Sequence, residues 1–518
     1  MKKLIRALFK MVFSRIMVIV LLLVLQISVL VAGFQWMGQY MSYIMTGFTA
    51  LSVILVIYVI NKEDDPAYKL VWMIPLCAVP VFGALLYLFV ELNLGGISLK
   101  RRFRKSMLET APYRKTSPEV QAHLEEQDRD FSNLAAYLRR CCGYPAFENT
   151  AVTYFPLGED KFRQLLIDLK AAEKFIFLEY FIIEQGEMWD SILEVLKEKA
   201  NEGVEVRVMY DGMCSLVNLP MHYPERLRQW GIQARVFSPI HPLLSTAQNN
   251  RDHRKIVSID GRIAYTGGVN LADEYINARE RFGHWKDVAV RLEGDGAQGF
   301  TMLFLQNWNM LGIKPSPYEP YMLPEKPADL PVEERKCGFV IPFGDAPGDN
   351  ETVGENVYMD ILYHAKDYVH IMTPYLIIDS EMERALVYAA KRGVDVRIIL
   401  PHIPDKKYAF YIARTYYPML LHAGVKLYEY RPGFVHAKSF VSDDEKAVVG
   451  TINLDYRSLY LHFECGVYLY QNPVVEEIEK DYQETLSKCI RVDMDYYKSI
   501  HVLEKLAGRV LRLFGPLM

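Results

Sequence analysis

The sequence predicts an α/β protein made of two tandem copies of one α/β unit, preceded by an N-terminal α-helical transmembrane region. Three observations support this prediction. Uncharged apolar runs occupy much of the first hundred residues, strand and helix patterns alternate from about residue 150, and one short motif occurs twice. A chain of 518 residues is also too long for a single ordinary core, so more than one domain is expected.

Three apolar segments near the N-terminus have lengths that suit a lipid bilayer, namely residues 17–34, 43–60 and 70–90. Pro75 and Pro80 interrupt the third segment, so we expect it to be broken. Basic residues cluster before the first segment and after the third, and three full spans would place them on opposite sides of the membrane. Either one segment is re-entrant or interfacial, or the charge rule fails here. We predict a multi-pass anchor over residues 17–95 and a cytosolic catalytic region at the cell membrane.

Both ends of the chain have amphipathic patterns. In residues 1–16 apolar side chains recur at three- and four-residue steps, with lysines and arginines largely on the other side. This predicts a basic amphipathic helix on an anionic membrane surface, although the charges could equally flank a first span. Residues 505–518 are apolar and basic, which fits either a membrane-facing helix or a packed terminal helix.

Charge and cysteine usage narrow the function classes. The net charge of −4 argues against nucleic acid as the main partner, because nucleic-acid-binding domains are usually basic. The seven cysteines include no CxxC pair and no histidine at zinc-ligand spacing from a cysteine pair, so we expect reduced thiols and no metal site.

The region after residue 150 contains an internal repeat. A buried-strand pattern, a helical pattern and a glycine-led strand follow one another over residues 174–212, and the same order returns over residues 368–401. Matched positions are 190, 193 and 183 residues apart, at Gly203 and Gly393, Gly231 and Gly424, and His253 and His436. We therefore predict a linker helix region over 96–145, a first unit over 146–313, a Pro-rich linker over 314–331 and a second unit over 332–518.

Each unit contains one copy of the motif His-x-Lys-x4-Asp, and these six residues are the predicted catalytic set. They are His253, Lys255 and Asp260 in the first unit, and His436, Lys438 and Asp443 in the second. Alternate side chains of a strand face the same way, so each histidine is predicted to share a strand face with its lysine. In both units an asparagine follows seventeen residues after the histidine. One motif alone is a weak signal, whereas two with equal spacing are a strong one.

Histidines, lysines and asparagines that meet in one cleft suit a phosphodiester. One imidazole attacks phosphorus to give a phosphohistidine, and the other protonates the leaving oxygen before it deprotonates the incoming alcohol. Ammonium and amide groups surround the non-bridging oxygens, and small residues let phosphate approach backbone N–H groups. The predicted phosphate-binding residues are Gly268, Asn270, Thr451 and Asn453. This chemistry requires no metal or cofactor.

Four carboxylates lie in or after the motifs. A reactive histidine needs a carboxylate at its other ring nitrogen, and Asp287 and Glu464 are the candidates, one downstream of the motif in each half. Asp260 and Asp443 complete the motifs but each stands at a strand end before a turn, where aspartate commonly binds nearby backbone. We therefore favour a structural role over substrate contact for these two.

The segments RDHRKIVSIDGRIAYTGGVNLADEY and GFVHAKSFVSDDEKAVVGTINLDYRSLYLHFE resemble the phospholipase D superfamily and, within it, the bacterial cardiolipin synthases. The resemblance covers nearly the whole chain, including an N-terminal hairpin region. It implies two phospholipase D-like α/β/α units related by a pseudo-twofold axis, with His253 as nucleophile, His436 as acid and base, and Asp287 and Glu464 orienting the histidines. One departure is His462, where asparagine is expected.

The resemblance also implies a reaction. One phosphatidylglycerol donates its phosphatidyl group to His253 and releases glycerol, and a second phosphatidylglycerol accepts the group to give cardiolipin. The expected partners are therefore phosphatidylglycerol and membrane lipids, not nucleic acid. A hydrolytic phospholipase D or another phosphatidyltransferase, for example one that uses phosphatidylethanolamine, remains the alternative. A nuclease or an inactive scaffold is less consistent with the membrane region and the two intact motifs.

Overall fold

The computed structural model describes residues 24, 28, 40–63, 65–91, 94–238, 249–312, 315–322, 338–347 and 351–517. These form two compact units. The N-terminal unit contains the described residues up to 98, together with 249 and 513–517, and the catalytic unit contains 99–238 and 250–512. The predicted helix over 1–16, nearly all of the apolar run 17–34 and residues 323–331 of the predicted linker lie outside the described residues.

Three helices make up most of the described part of the N-terminal unit, at Tyr40–Asn61, Pro66–Ala78 and Pro80–Glu91. Among the described residues, only Ser42–Asn61 is long and apolar enough to cross a membrane. The third apolar run is divided at Val79 into two short helices, as the prolines predicted. Gly83 permits close packing after the break, because a Cβ there would lie 2.2 Å from the carbonyl oxygen of Pro75.

The first half of the catalytic unit begins with helices and continues into a mixed sheet. The helices before the sheet are Leu94–Thr110, Pro118–Glu126 and Arg129–Tyr137. The strands are β1 (Thr150–Phe155), β2 (Phe175–Tyr180), β3 (Glu205–Asp211), β4 (Gln233–Phe237), β5 (Lys255–Ile259), β6 (Ile263–Gly267), β7 (His284–Lys286) and β8 (Ala289–Gly294). All except β7 form one sheet in the order β1-β8-β6-β5-β2-β3-β4. Its helices are Gly158–Ala171, Glu187–Asn201, Gly212–Val217, Tyr223–Gln229 and Ala297–Leu311.

The second half repeats this arrangement. Its strands are β9 (Phe339–Asp345), β10 (Tyr368–Met372), β11 (Leu376–Ile377), β12 (Asp395–Pro401), β13 (Lys426–Tyr430), β14 (Gly433–Val435), β15 (Ser439–Ser442), β16 (Lys446–Gly450), β17 (Leu454–Asp455), β18 (Glu464–Tyr470) and β19 (Cys489–Val492). The main sheet has the order β19-β13-β12-β10-β15-β16-β18-β9. Its helices are Val353–His364, Ser380–Lys391, Lys407–Ala413, Tyr417–Ala423, Val474–Leu486, Met494–Ser499 and Val502–Arg512.

The two sheets have the same topology. Three parallel strands, β2-β3-β4 or β10-β12-β13, continue into antiparallel strands that contain the motif and the hairpin after it. Strand β19 is the one addition to the second sheet. The helix Ala297–Leu311 packs against both β5 and β9, and β6 contacts β16 and β18, so the halves share one interior. The duplicated α/β architecture predicted from the repeat is therefore present.

The aspartate of each motif connects two strands of its own half. Asp260 accepts hydrogen bonds of 2.8 Å from the backbone N–H groups of Glu173, Lys174 and Phe175, where β2 begins. Asp443 does the same at the start of β10, at 2.8–2.9 Å. Both aspartates have a positive φ, 53° and 54°, in the turn that follows the motif strand. These hydrogen bonds support the structural role predicted for the two aspartates. The backbone that they bind is remote in sequence, whereas the prediction was for nearby backbone.

We expect Asp443→Ala to destabilise the catalytic unit by about 3 kcal/mol, because it leaves three backbone donors without their carboxylate. Thermal unfolding of the purified full chain measures the loss. Asp444→Ala is the matched control, because Asp444 has a φ of 55° but accepts a side-chain bond only from Tyr368. Equal losses in the two variants would show that backbone strain, rather than the three hydrogen bonds, dominates.

Candidate active site

The first motif histidine is held by a carboxylate from the other half of the chain. Nδ1 of His253 lies 2.9 and 3.0 Å from the two carboxylate oxygens of Glu464, which is fully buried. The ring of Phe181 packs edge-on against His253, with 5.0 Å between centroids. The imidazole is only 7% exposed, so carboxylate and aromatic ring together fix its orientation.

The second motif histidine has the reciprocal arrangement. Nδ1 of His436 lies 2.7 Å from Oδ2 of Asp287, a fully buried carboxylate of the first half. Tyr275 and Trp285, also from the first half, contact the imidazole with centroid separations of 5.3 and 5.5 Å. Each histidine is therefore oriented by the opposite half, an exchange that the sequence did not predict.

Backbone hydrogen bonds of the two histidines also cross between the halves. The N–H of His253 donates to the carbonyl oxygen of Phe463 at 2.9 Å, and that of His436 donates to Lys286 at 2.7 Å. Phe463 and Lys286 directly precede the two orienting carboxylates. The histidines consequently stand just before β5 and β15 rather than inside these strands, which corrects the predicted placement. Their N–H groups bond across the halves instead of within the ladder.

Both motif lysines are buried beside their histidines, each 1% exposed. Nζ of Lys255 donates to the carbonyl oxygen of His253 at 2.6 Å, and Nζ of Lys438 donates to that of His436. Burial lowers the pKa of Lys255 to about 8 and the pKa of Lys438 to about 7. Charge repulsion from Lys255 further lowers the pKa of Lys438, as expected for two motifs whose lysines lie close together.

The histidines and carboxylates have complementary protonation states. Burial lowers the pKa of His253 well below 6.5 and the pKa of His436 to about 4. Burial alone would raise the pKa values of Glu464 and Asp287, but the histidines they face lower both overall. At neutral pH the imidazoles are neutral and the carboxylates ionised. Each Nδ1–H then donates to its carboxylate, which leaves Nε2 with a free electron pair.

The predicted phosphate-binding residues divide into two groups. Gly268 and Thr451 face the carboxylates: a Cβ on Gly268 would lie 1.9 Å from Oδ1 of Asp287, and the Thr451 hydroxyl donates to Glu464. Their N–H groups donate to the carbonyl oxygens of Val288 and Cys465, at 3.0 and 2.8 Å. These bonds argue against phosphate contact at Gly268 and Thr451, because the predicted N–H donors already have backbone acceptors.

The two asparagines also differ. Asn270 accepts from the N–H of Ile182 at 3.0 Å and donates to the hydroxyl of Tyr275 at 2.9 Å, so its amide supports the first half internally. Asn453 is 5% exposed, and its Oδ1 has no hydrogen-bond partner among the described residues. Of the predicted phosphate ligands, Asn453 is thus the one whose amide is least committed to the protein.

Sequence reasoning missed Lys161, which lies under the site. Nζ of Lys161 donates to the hydroxyl of Tyr180 at 3.0 Å and the carbonyl oxygen of Val269 at 3.3 Å. Burial lowers its pKa to about 7, while Asp287 acts in the opposite direction. A signal was present, since Lys161 shares the buried face of its helix with Leu165 and Leu169, four and eight residues on.

Arg251 and Asp211 form a second missed pair. Nη1 of Arg251 lies 3.2 Å from Oδ1 of Asp211, and Asp211 also accepts from the N–H of Asp252 at 3.0 Å. Asp211 ends β3 and thereby ties the residue before His253 to the parallel strands. The charged run that precedes His253 in the sequence was the available signal.

His253, His462 and Glu464 each offer one donor atom within 4.8 Å of the others, a set that could hold a metal ion. Such an ion would take the Glu464 oxygens that hold His253 and Thr451. The arrangement is better suited to metal-free chemistry, with a neutral nucleophilic imidazole, a second imidazole for proton transfer, and two lysines for anionic oxygens.

Comparison with known proteins agrees with this geometry. Residues 165–281 and 358–486 match the family described as cardiolipin synthase, PLD-like domain, and residues 50–91 match the phospholipase D-nuclease N-terminal family. A cardiolipin synthase of Geobacillus kaustophilus is 32% identical over 513 residues, covering 98% of this chain and 99% of that protein. An uncharacterised protein of Streptococcus mutans is 50% identical over 463 residues, covering 89% and 99%.

Among solved structures, the phosphatidylserine synthase of Haemophilus influenzae has a TM-score of 0.55 at 15% identity, and the match covers 72% of this chain and 94% of that one. This likeness shows a shared fold. The similarity to cardiolipin synthases extends over nearly the full length of the chain, and together with the matched family it confirms the resemblance seen in the two motif segments. The chain therefore belongs to the bacterial cardiolipin synthase family of the phospholipase D superfamily and is a phosphatidyltransferase.

Proposed function

We propose that this enzyme is a cardiolipin synthase that transfers a phosphatidyl group from one phosphatidylglycerol to another through a phosphohistidine. The observation that carries the proposal is the reciprocal pairing of His253 with Glu464 and His436 with Asp287 in one buried site. The pairing supplies two imidazoles with the same tautomer, one for nucleophilic attack and one for proton transfer.

In the first half-reaction, Nε2 of His253 attacks phosphorus and the bond to the glycerol oxygen breaks. His436 gives its proton to that oxygen, and glycerol leaves. The substrate phosphodiester brings a negative charge that favours the protonated form of His436, and Asp287 stabilises the imidazolium at 2.7 Å. The ammonium groups of Lys255 and Lys438 balance the charge that develops on the non-bridging oxygens.

The second half-reaction reverses these roles. His436 removes the proton from the hydroxyl of a second phosphatidylglycerol, whose oxygen attacks phosphorus. The phosphorus–nitrogen bond breaks, and its electron pair returns to Nε2 of His253. The proton given up in the first step is thereby recovered, so the enzyme is unchanged and the products are cardiolipin and glycerol.

We further propose a cell-membrane location with the catalytic unit on the cytosolic side, anchored through residues 17–95. We retain the domain boundaries 146–313 and 332–518, with the linker at 314–331, although residues 513–517 group with the N-terminal unit. The basic cluster after the apolar segments supports this orientation. Ser42–Asn61, which among the described residues is the helix long and apolar enough to cross a membrane, supports the anchor.

The helix Val502–Arg512 supports a second membrane attachment. One face packs on the catalytic unit, where Gly508 approaches the carbonyl oxygen of Tyr411 and Glu504 accepts from Arg414 at 3.0 Å. The opposite face exposes four apolar side chains, at 72%, 66%, 56% and 51% for Val502, Leu503, Leu506 and Val510. Lys505 and Arg509 add positive charge. A packed inner face and an exposed apolar and basic face together fit an interfacial helix on an anionic bilayer.

The product analysis tests the reaction. Purified full-length enzyme with phosphatidylglycerol in mixed micelles should yield cardiolipin and glycerol in equal amounts. Phosphatidic acid as the sole lipid product would instead identify a hydrolytic phospholipase D. Phosphatidylethanolamine carries no hydroxyl, so adding it asks whether it can replace one phosphatidylglycerol as the donor, in which case ethanolamine is released together with cardiolipin.

Trapping tests the two histidine roles. We expect His253→Asn to abolish a phosphorylated enzyme after acid-free quenching with labelled phosphatidylglycerol, because no nucleophile remains. His436→Asn should still give a trappable species with a donor whose leaving group needs no protonation. The opposite pattern would show that the roles are exchanged. Glu464→Gln is the linked control, since it should impair the His253 step from the other half of the chain.

Reconstitution tests the interfacial helix. Replacing Val502, Leu503, Leu506 and Val510 by serine should lower turnover several-fold in phosphatidylglycerol proteoliposomes and leave turnover in detergent micelles unchanged. Ile167→Ser is the control, because Ile167 is 60% exposed and no other large apolar side chain of its helix, Gly158–Ala171, is exposed. Loss of activity in both media would indicate a folding defect rather than weaker membrane contact.

A further inference from the structure

His462 is a buried imidazole that neither the repeated motif nor the proposed mechanism uses. It is 8% exposed and follows the π-helical turn Arg457–Leu461. Its ring lies beside that of His253, with 5.5 Å between the centroids. Neither of its ring nitrogens has a hydrogen-bond partner among the described residues, and Oε1 of Glu464 is 3.6 Å from Nδ1.

Two unsatisfied nitrogens are costly in a buried position. Each buried polar group left without a partner costs about 1–3 kcal/mol, and most such groups in native proteins are satisfied. Backbone hydrogen bonds fix the chain at this position. The N–H of His462 donates to the carbonyl oxygen of Arg457 at 2.8 Å, and the N–H of Phe463 donates to the carbonyl oxygen of Arg251 at 2.8 Å. The imidazole is therefore placed at the site wall with its hydrogen-bonding capacity unused by the protein.

The charges around His462 restrict what can bind there. Glu464 and Asp211 both interact electrostatically with the imidazole, and Arg251 pairs with Asp211 at 3.2 Å, so Glu464 is the anion that the imidazole faces most directly. A second phosphate is disfavoured next to the Glu464 carboxylate, whereas the two motif lysines beside the motif histidines suit phosphate. A neutral imidazole provides one donor and one acceptor, which is the complement of an alcohol hydroxyl.

We propose that His462 binds a hydroxyl of the glycerol headgroup beside the phosphate and so selects a polyol over a simple alcohol. This role rests on the proposed function. The hydroxyl bound is one that does not react, and no covalent step passes through His462. Its ring neighbours the nucleophile His253, which places the bound polyol next to the phosphorus that is attacked. His462 is thus a specificity-determining residue in the alcohol subsite.

Acceptor competition tests this role. Full-length enzyme transfers the phosphatidyl group of phosphatidylglycerol either to labelled glycerol or to propan-1-ol, which has the same carbon number but lacks two hydroxyls. Phenylalanine keeps a ring but has no ring nitrogen, so His462→Phe should lower kcat/KM for glycerol about tenfold and leave kcat/KM for propan-1-ol unchanged. His462→Asn retains one donor and one acceptor, so it should preserve the preference for glycerol.

The outcomes separate the possible roles. Equal losses with both acceptors in His462→Phe, or no loss with either, would overturn the proposal. A difference that disappears in the presence of a chelator would show that the imidazole serves a metal ion and would also overturn it. If His462→Phe does not fold, His462→Leu replaces it, because leucine also lacks a hydrogen-bonding side chain, and the same fall in the glycerol to propan-1-ol ratio is expected. Wild-type enzyme that transfers to neither alcohol would contradict the proposed function itself.

Discussion

The exchange of carboxylates between the two halves is the constraint on which the rest of the structure depends. Glu464 holds His253 and Asp287 holds His436, so neither half on its own supplies a motif histidine together with the carboxylate that orients it. The shared interior, the bonds from the two histidine N–H groups and the pairing of β7 with β14 all maintain this exchange. A duplicated unit thereby becomes a single site, because each copy supplies what the other lacks.

The small residues after each motif accommodate the two buried carboxylates. Gly268 leaves room for the Asp287 carboxylate, and Thr451 adds a hydroxyl donor to Glu464 in the equivalent position. The two halves thus solve one problem, the support of a buried anion, with different side chains. The motif aspartates act at a greater distance from the chemistry, since Asp260 and Asp443 fix the turn at the end of the strands that follow the histidines.

The fold was largely predictable, because strand periodicity, paired glycines and a repeated motif all act locally or repeat in order. The carboxylates Asp287 and Glu464 were also predictable as residue types. Their crossed assignment was not, because it depends on how two sheets pack and no local pattern encodes that contact. For the same reason the sequence did not indicate that Gly268, predicted to contact phosphate, packs against Asp287, which lies nineteen residues away in sequence.

Burial opposes the build-up of positive charge at the site. It lowers the pKa of Lys438 to about 7 and that of His436 to about 4. An entering phosphodiester reverses that balance, since its negative charge stabilises the protonated forms. In the proposed mechanism, His436 therefore holds the proton for the leaving alcohol only when phosphate is bound, and Asp287 stabilises the imidazolium.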